Sequence, residues 1–464
     1  MSCGTGVSPV NGGRDARPPF TETMMTTSLI AVYASWLAAG VGPSSPSIEE
    51  DFFVTLPRQV RPLPEPLPEG EEPGFAIRGT KGWMWRPEQY LAEIPVLVKY
   101  KLNFLMNCYT SMCDVEHFRW GDPQCNRWWE PIPQEKARAY ENVARECLKA
   151  GVRFCFSMNP NICTKRIVDY NSAEDVDLLW RHYSWMQGLG VKWFNISLDD
   201  ITEGIDAAGQ AKVVNEIFRR LREKDAEAAM IFCPTFYWGT GEDPKAAAYL
   251  ETLARDLHPD VYVFWTGGAV VGRITRADAE TYKGRVRHRI IVWDNYPVND
   301  AAPTMHLGPV IYRDRDLCKV VDGIMGNPLC PQNEINRIPL LTLADYAWNP
   351  EAYDPARSIG QAIVHLADTP PRQRVLKELV ELYPGTLLES KGTGWNPVIA
   401  RFNEILDRPH SRYLADVFLK HAEDVAQRME EAFPERFKDA LQTLLNDIAK
   451  MNAAYAAKYA RSAN

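Results

Sequence analysis

The stretch Trp193-Phe-Asn-Ile-Ser-Leu-Asp-Asp200, the segment Ala211 to Arg222, and then Ala229-Met-Ile-Phe-Cys-Pro-Thr235 decide the fold. The outer pieces are short apolar runs with the length and side-chain character of buried strands. Between them Val214, Ile217 and Leu221 recur at the spacing of one helix face. Working outward, the same unit repeats. Apolar runs occur at 74–79, 103–108, 153–158, 261–267, 289–296 and 323–328, and Glu135 to Ala150 carries Ala139, Val143 and Cys147 on one helical face. Seven strand–helix steps are clear, and the segment after 300 is loop-rich before its helix. An open doubly wound sheet fits the alternation too, but no G-x-G-x-x-G follows the first strand. Eight strands in about 275 residues favour closure, because a (β/α)8 barrel typically takes about 250. The expected fold is therefore α/β, a (β/α)8 TIM barrel over 74–350 followed by a C-terminal helical extension over 351–464.

The flanks read differently. Six prolines between Pro57 and Pro73 make 51–73 an extended linker with no core of its own. Residues 1–50 are too short and too polar for a domain. Within them Ser28 to Gly40 is a mostly apolar stretch of 13 residues followed by small ones, as in a signal-peptide h-region. The expectation is a leader that sends the chain to the periplasm or outside the cell. Arg14 and Arg17 lie far upstream of it, and the alternative is a leader without that role in a cytoplasmic protein. The stretch is too short to span a bilayer, and nothing else in the chain is a candidate membrane span. After 350, Tyr413, Leu414, Val417, Phe418, Val425 and Met429 form a stripe, and an Ala/Leu-rich helix runs from about 434 to 459. These helices pack on the barrel or on a second subunit, the latter giving a homodimer.

Composition narrows the partners. Apolar residues are 45% and charged residues 24%, as in an ordinary folded domain. Acids exceed bases by 60 − 52 = 8 with no long basic run, which argues against nucleic acid as a partner. The chain holds 14 Trp and 19 Tyr, which serve as core and as flat faces for sugar rings. Ten cysteines are scattered without a C-x2-C pair, so no zinc ribbon is expected. Cys155, Cys233 and Cys318 read as buried, and a single bridge within Cys108–Cys125 stays open.

Active sites of such barrels lie at the carboxyl ends of the strands. Those ends read Arg78-Gly79, Asn107-Cys108, Asn159, Asp199-Asp200, Thr235-Phe-Tyr237, Trp265-Thr266-Gly267, Trp293-Asp-Asn295 and Asn327. Carboxylates, amides and aromatics converge while cations are nearly absent, which suits a neutral, hydroxyl-rich ligand rather than a phosphate. Asp199-Asp200 is the sharpest local signal. Two carboxyls addressing one small site repel, which raises at least one pKa and sets a proton donor beside an anion. The competing reading makes Asp200 the cap of a helix whose first turn holds Thr202 and Glu203. A metal pair lacks further His or acids at ligand spacing, so no metal and no cofactor are expected.

Phe194-Asn-Ile-Ser-Leu-Asp-Asp-Ile201, Cys233-Pro-Thr-Phe-Tyr237, Val263-Phe-Trp-Thr-Gly267, Val292-Trp-Asp-Asn-Tyr-Pro-Val-Asn-Asp300 and Gly326-Asn-Pro328 together resemble the successive motifs of glycoside hydrolase family 84. That family holds the O-GlcNAcases and hyaluronidase-like β-N-acetylglucosaminidases. The resemblance implies a retaining exo-β-N-acetylglucosaminidase whose nucleophile is the substrate's own 2-acetamido oxygen, with an oxazoline intermediate. Its partner would be an N-acetylhexosamine-containing glycan. By position, Asp199 would orient and polarise the acetamido N–H, and Asp200 would be the general acid and then the base. Tyr237 would bond the acetamido oxygen, Thr266 and Trp293 would line the methyl pocket, and Asn295 would buttress the centre. Asp300, Asn327 and the Gly79 carbonyl would grip ring hydroxyls.

Two departures stand out. The family's Glu-Gly-Phe-Tyr-Gly at the first strand end is Arg78-Gly-Thr-Lys-Gly82 here, and its Pro-Lys at the second is Tyr109-Thr110. Loss of that cation leaves the acetamido chemistry intact and changes hydroxyl recognition. The loop from Tyr109 to Pro133, with Trp120, Trp128 and Trp129, reads as an aglycone platform or a packed lid. A sugar-binding barrel without turnover is the alternative function.

Overall fold

A computed structural model describes residues 73–109, 121–299, 302, 304–330, 333–385 and 394–460. The leader, the linker up to residue 72, Thr110, Trp120 and Asp300 lie outside the described residues.

Eight parallel strands close in sequence order into a barrel: β1 (Ile77–Gly82), β2 (Phe104–Asn107), β3 (Arg153–Met158), β4 (Trp193–Ser197), β5 (Ala229–Cys233), β6 (Tyr262–Trp265), β7 (Arg289–Pro297) and β8 (Gly323–Asn327). Between them run α1 (Pro87–Lys99), α2 (Gln134–Lys149), α3 (Ala173–Gly188), α4 (Ala207–Lys224), α5 (Pro244–Asp256) and α6 (Arg276–Val286), and α7 (Arg337–Trp348) follows β8. The expected (β/α)8 barrel is thus the observed one. Helix starts follow local chemistry. Ser172, Asp243 and Thr275 accept from backbone amides of the first turns of α3, α5 and α6, satisfying donors the helix itself cannot.

Strand periodicity sorts the side chains. Ile77, Phe104, Met106, Cys155, Ile231, Cys233, Phe264, Ile291, Trp293 and Met325 pack together inside the barrel. A polar cluster lies within it too, where Ser157 Oγ and Ser197 Oγ both donate to Asn195 Oδ1. The intervening residues face the helices. Trp265 stacks on Tyr282 of α6, and Asp294 forms a buried ion pair with Arg313.

The first strand runs three residues later than the expected 74–79. The apolar run Gly74 to Ile77 only leads into it, and Arg78 lies near its amino end, with its guanidinium donating to Phe75 O and Lys101 O. Arg78 therefore seals the closed end of the barrel rather than lining its mouth.

The C-terminal region is helical as expected: α8 (Pro355–Leu366), α9 (Pro370–Leu382), α10 (Pro397–Asp407), α11 (Arg412–Ala432) and α12 (Lys438–Ala460). The stripe on α11 is corrected in part. Phe418, Val425 and Met429 are buried with Ala415, Leu419 and Ala422, whereas Tyr413, Leu414 and Val417 are exposed. Cys108 and Cys125 are buried, Cys113 between them lies outside the described residues, and Cys318 is only half-buried. Trp128 is buried and donates its indole N–H to Arg166 O, with Trp129 edge-on against it. This part of the loop is packed rather than offered as a platform.

Candidate active site

β4 places the aspartates. Its ladder continues past Ser197 through Leu198 N–H to Cys233 O, which carries Asp199 inward at the mouth. Asp199 is buried and accepts from Tyr109 Oη at 3.1 Å and Asn159 Nδ2 at 3.3 Å, while Asn159 Nδ2 also bonds the Asp199 carbonyl. Burial pushes its carboxyl above the usual range, opposed first by the Lys81 ammonium and then by hydrogen bonds from the backbone and Tyr109.

Asp200 differs in every respect. It is exposed, its φ is +54°, and its Oδ1 accepts from Tyr237 Oη at 2.9 Å. Left-handed backbone outside glycine is uncommon, and such strain gathers at functional sites. The following helix begins at Ala207 behind the cap residue Asp206, so Asp200 caps nothing and that reading is dropped. One aspartate is therefore locked among donors and its neighbour is turned to solvent.

The other strand ends complete the mouth. Thr266 N–H donates to Tyr237 O, tying β6 to the segment after β5, while Thr266 Oγ1 donates to Ala269 O. Asn327 Nδ2 donates to Asn295 Oδ1 at 2.8 Å, and Asn295 Nδ2 to Val270 O. Two buried polar atoms here, Trp293 Nε1 and Asn327 Oδ1, have no partner among the described residues. Buried groups are seldom left so, and a donor and an acceptor in one mouth suit a hydroxyl- and amide-bearing ligand.

Gly79 lies lower, in register with Phe104 and Met325; a Cβ there would stand 1.8 Å from Phe104 O, so close strand packing requires the glycine. Asp300 is outside the described residues. Asp199, Asp200, Tyr237, Thr266, Trp293, Asn295 and Asn327 all stand at the strand ends.

Sequence reasoning missed Lys81. The strand-end residues alone predict a mouth nearly free of cations, yet Lys81 projects into it from β1, 1% exposed, with Nζ 3.7 Å from the Trp293 ring centroid, 4.7 Å from Trp83 and 5.1 Å from Tyr109. Counting strand parity from Gly79 would have found it: two residues on, the side chain again faces inward, one step nearer the mouth. Tyr109 was likewise passed over as a lost cation position. Among the described residues no group of three or more His, Cys, Asp or Glu could hold a metal ion, and no helix is long and apolar enough to cross a membrane.

Known proteins share this fold. The β-N-acetylglucosaminidase family profile matches residues 76–383. Among solved structures, an O-GlcNAc hydrolase of Thermobaculum terrenum superposes with a TM-score of 0.64 at 20% identity, covering 84% of this chain and 86% of that one. The structure of CpGH84B does so at 0.63 and 23% identity, covering 84% of this chain and 68% of the other. At such identities the structures speak for the fold, and the family rests on the profile match. With an eight-stranded barrel, paired aspartates at the end of its fourth strand and that match in hand, the chain belongs to glycoside hydrolase family 84, the β-N-acetylglucosaminidase family.

Proposed function

We propose that this glycoside hydrolase is a retaining exo-β-N-acetylglucosaminidase that uses the substrate's 2-acetamido group as nucleophile. The observation that carries the reading is the unlike pair at the end of β4, a buried Asp199 beside an exposed Asp200. In the first step the acetamido oxygen attacks the anomeric carbon and the aglycone leaves with a proton from Asp200. Asp199 accepts the acetamido N–H and stabilises the positive charge that grows there. In the second step Asp200 takes a proton from water, which opens the oxazoline with net retention. A buried carboxyl fixed by Tyr109 and Asn159 suits the orienting role, which needs a rigid anion at one atom. An exposed one suits proton exchange with a leaving group and with water.

Tyr237, Thr266 and Trp293 surround the acetamide in this reading. Lys81 takes a face of Trp293, which leaves the indole N–H as the group that meets the ligand. Asn327 Oδ1, buttressed through Asn295, accepts from a ring hydroxyl. Asp300 keeps the hydroxyl-gripping role the family resemblance gives it, whereas Gly79, paired on both sides within β1 and below the mouth, is not carried into this reading. The exposed Tyr413, Leu414 and Val417 on α11 are the face through which a homodimer would form, and sedimentation equilibrium decides it.

The test is hydrolysis of an aryl β-N-acetylglucosaminide against the matching aryl β-glucoside. Turnover of the first and near-inertness of the second is the expected result, since the glucoside lacks the nucleophile. Comparable turnover of the two overturns the mechanism. A second reading, a sugar-binding barrel without turnover, is favoured by the altered first strand, where Arg78-Gly-Thr-Lys-Gly82 stands in place of the family's Glu-Gly-Phe-Tyr-Gly. It predicts binding of N-acetylglucosamine with no hydrolysis.

A further inference from the structure

We propose that Lys81 is the counter-charge of the Asp199 carboxylate, a positioning residue supplied from β1 and held for that task in a cage of three aromatic rings. The proposal rests on the acetamido-assisted reading for its catalytic consequence, and on the contacts both groups make with Tyr109 for the pairing.

Lys81 and Asp199 enter the barrel from strands three places apart in the closed sheet, and both side chains are buried. A buried ammonium is normally tied down by carboxylates or carbonyls. This one donates no hydrogen bond among the described residues. Trp293, Trp83 and Tyr109 surround it instead, at 3.7, 4.7 and 5.1 Å from Nζ to ring centroid. Each lies within the roughly 6 Å over which a ring face attracts a cation. Aromatic faces hold the charge without accepting its protons, so the field of the ammonium reaches Asp199 without a direct bond that would pull the carboxylate out of line.

Tyr109 couples the two. Its ring carries Lys81 and its hydroxyl donates to Asp199 Oδ2 at 3.1 Å. A cation over a phenol ring draws electron density from it and strengthens the O–H as a donor. Among the described residues, the groups around Lys81, Tyr109 and Asp199 are Cys108 after β2, Asn159 after β3, Ser197 and Asp200 on and after β4, and Cys233 and Tyr237 on and after β5. Lys81 is the cation among these described groups. Burial raises the carboxyl of Asp199, and Lys81 is the largest influence against it. Burial lowers the ammonium of Lys81, and Cys108, Asp199, Cys233 and Asp200 oppose that.

The consequence is specific. Asp199 must be an anion to stabilise positive charge on the acetamido nitrogen. Without Lys81 it protonates at higher pH, and the acid limb of kcat/KM moves up. An opposite charge at close range typically shifts a carboxylate by about 1–3 units. Lys81→Met should therefore raise the acid limb by at least about one unit, whereas Lys81→Arg should leave it near its original place. A residue that only filled the aromatic cage would change kcat without moving the limb.

The second arm needs no turnover: the melting temperature of wild type, Lys81→Met, Asp199→Asn and the double variant, followed from about pH 4 to 8. In Lys81→Met the carboxyl of Asp199 is raised above its unfolded value. It then favours the fold at low pH, and that support is lost as pH rises through the folded value. Lys81→Met should thus fall progressively below the Lys81→Met/Asp199→Asn double variant as pH rises. At neutral pH Asp199→Asn alone should be less stable than wild type, because it strands the ammonium. If Lys81→Met alone fails to fold and the double variant folds, the pairing is supported by the rescue. Parallel melting profiles of Lys81→Met and the double variant, or an unmoved acid limb, overturn the proposal. An inert wild-type enzyme counts against the hydrolase reading, and the melting profiles still decide the pairing.

Discussion

Asp199 and Asp200 are covalent neighbours with opposite surroundings, and that contrast makes their exchange for Asn informative. General acid catalysis typically contributes about 10²–10⁴, and its value depends on how badly the leaving group needs a proton. Asp200→Asn should slow an alkyl or sugar aglycone by a factor in that range and a nitrophenyl glycoside far less. Asp199→Asn should slow both by similar factors, because charge grows on the acetamido group whatever departs. Measured kcat/KM for both variants on both substrates checks this, and a leaving-group dependence confined to Asp199→Asn would reverse the roles. Asn is the right replacement at 200 for a structural reason. The φ of +54° there costs most residues about 1–3 kcal/mol but is tolerated by Asp and Asn, so the change isolates chemistry from backbone strain.

At the scale of strands and helices, β1 shows where sequence reading works and where it fails. β3 to β7 were legible because apolar residues fill most positions and the polar ones gather at the carboxyl ends. β1 reads Ile-Arg-Gly-Thr-Lys-Gly, and after Ile77 its inward positions are taken by a glycine pressed on β2 and by a caged lysine, so the apolar signal falls three residues too early. Gly79→Ala would drive a methyl to 1.8 Å from Phe104 O, against backbone that cannot step aside without parting β1 from β2. A loss of about 3 kcal/mol or more is expected, seen as a lowered melting temperature or insoluble protein. Unchanged melting would contradict the strand packing. Where the ring of helices closes, buried Glu93 on α1 meets Arg337 on α7 at 3.0 Å. Burial pushes the Glu93 carboxyl up to about 7, with Arg337 opposing. The folded value lies above the unfolded one, so Glu93 supports the fold below the ordinary carboxylate range and loses that support as pH rises through 7. Glu93→Gln should therefore flatten the fall in melting temperature between about pH 5 and 8. A wild-type slope in the variant would remove Glu93 as its cause.

The whole molecule couples barrel and C-terminal helices more closely than their sequence contrast suggested. Arg436, just before α12, donates to Glu334 Oε1 at 2.6 Å and to Leu366 O, and Phe437 N–H donates to Glu334 Oε2. Leu307 N–H reaches Tyr383 O, and the apolar core runs from the barrel helices through Val375 and Leu379 to Phe433 and Leu444 without a break. Calorimetry should accordingly show one cooperative unfolding transition, and two separable ones would mean the helices fold on their own. The existence of these helices was plain from periodicity. Their docking was not, because Glu334 and Arg436 are about a hundred positions apart, and a single chain gives no sign of which surface charge meets which.

Strand parity also prescribes how this enzyme is to be altered. Inward and outward residues alternate along each strand, so neighbouring codons answer to different selections. On β7, changing 293 or 295 alters the mouth, and in the proposed reading what it recognises, while changing Asp294 between them breaks a buried ion pair with Arg313. On β1, the side chain of 81 faces the mouth and that of 80 the seam with β8, where Thr80 Oγ1 donates to Gly326 O. A library that varies every second codon near the strand ends would sample new specificities with the scaffold intact, and one shifted by a single codon would yield mostly unfolded clones.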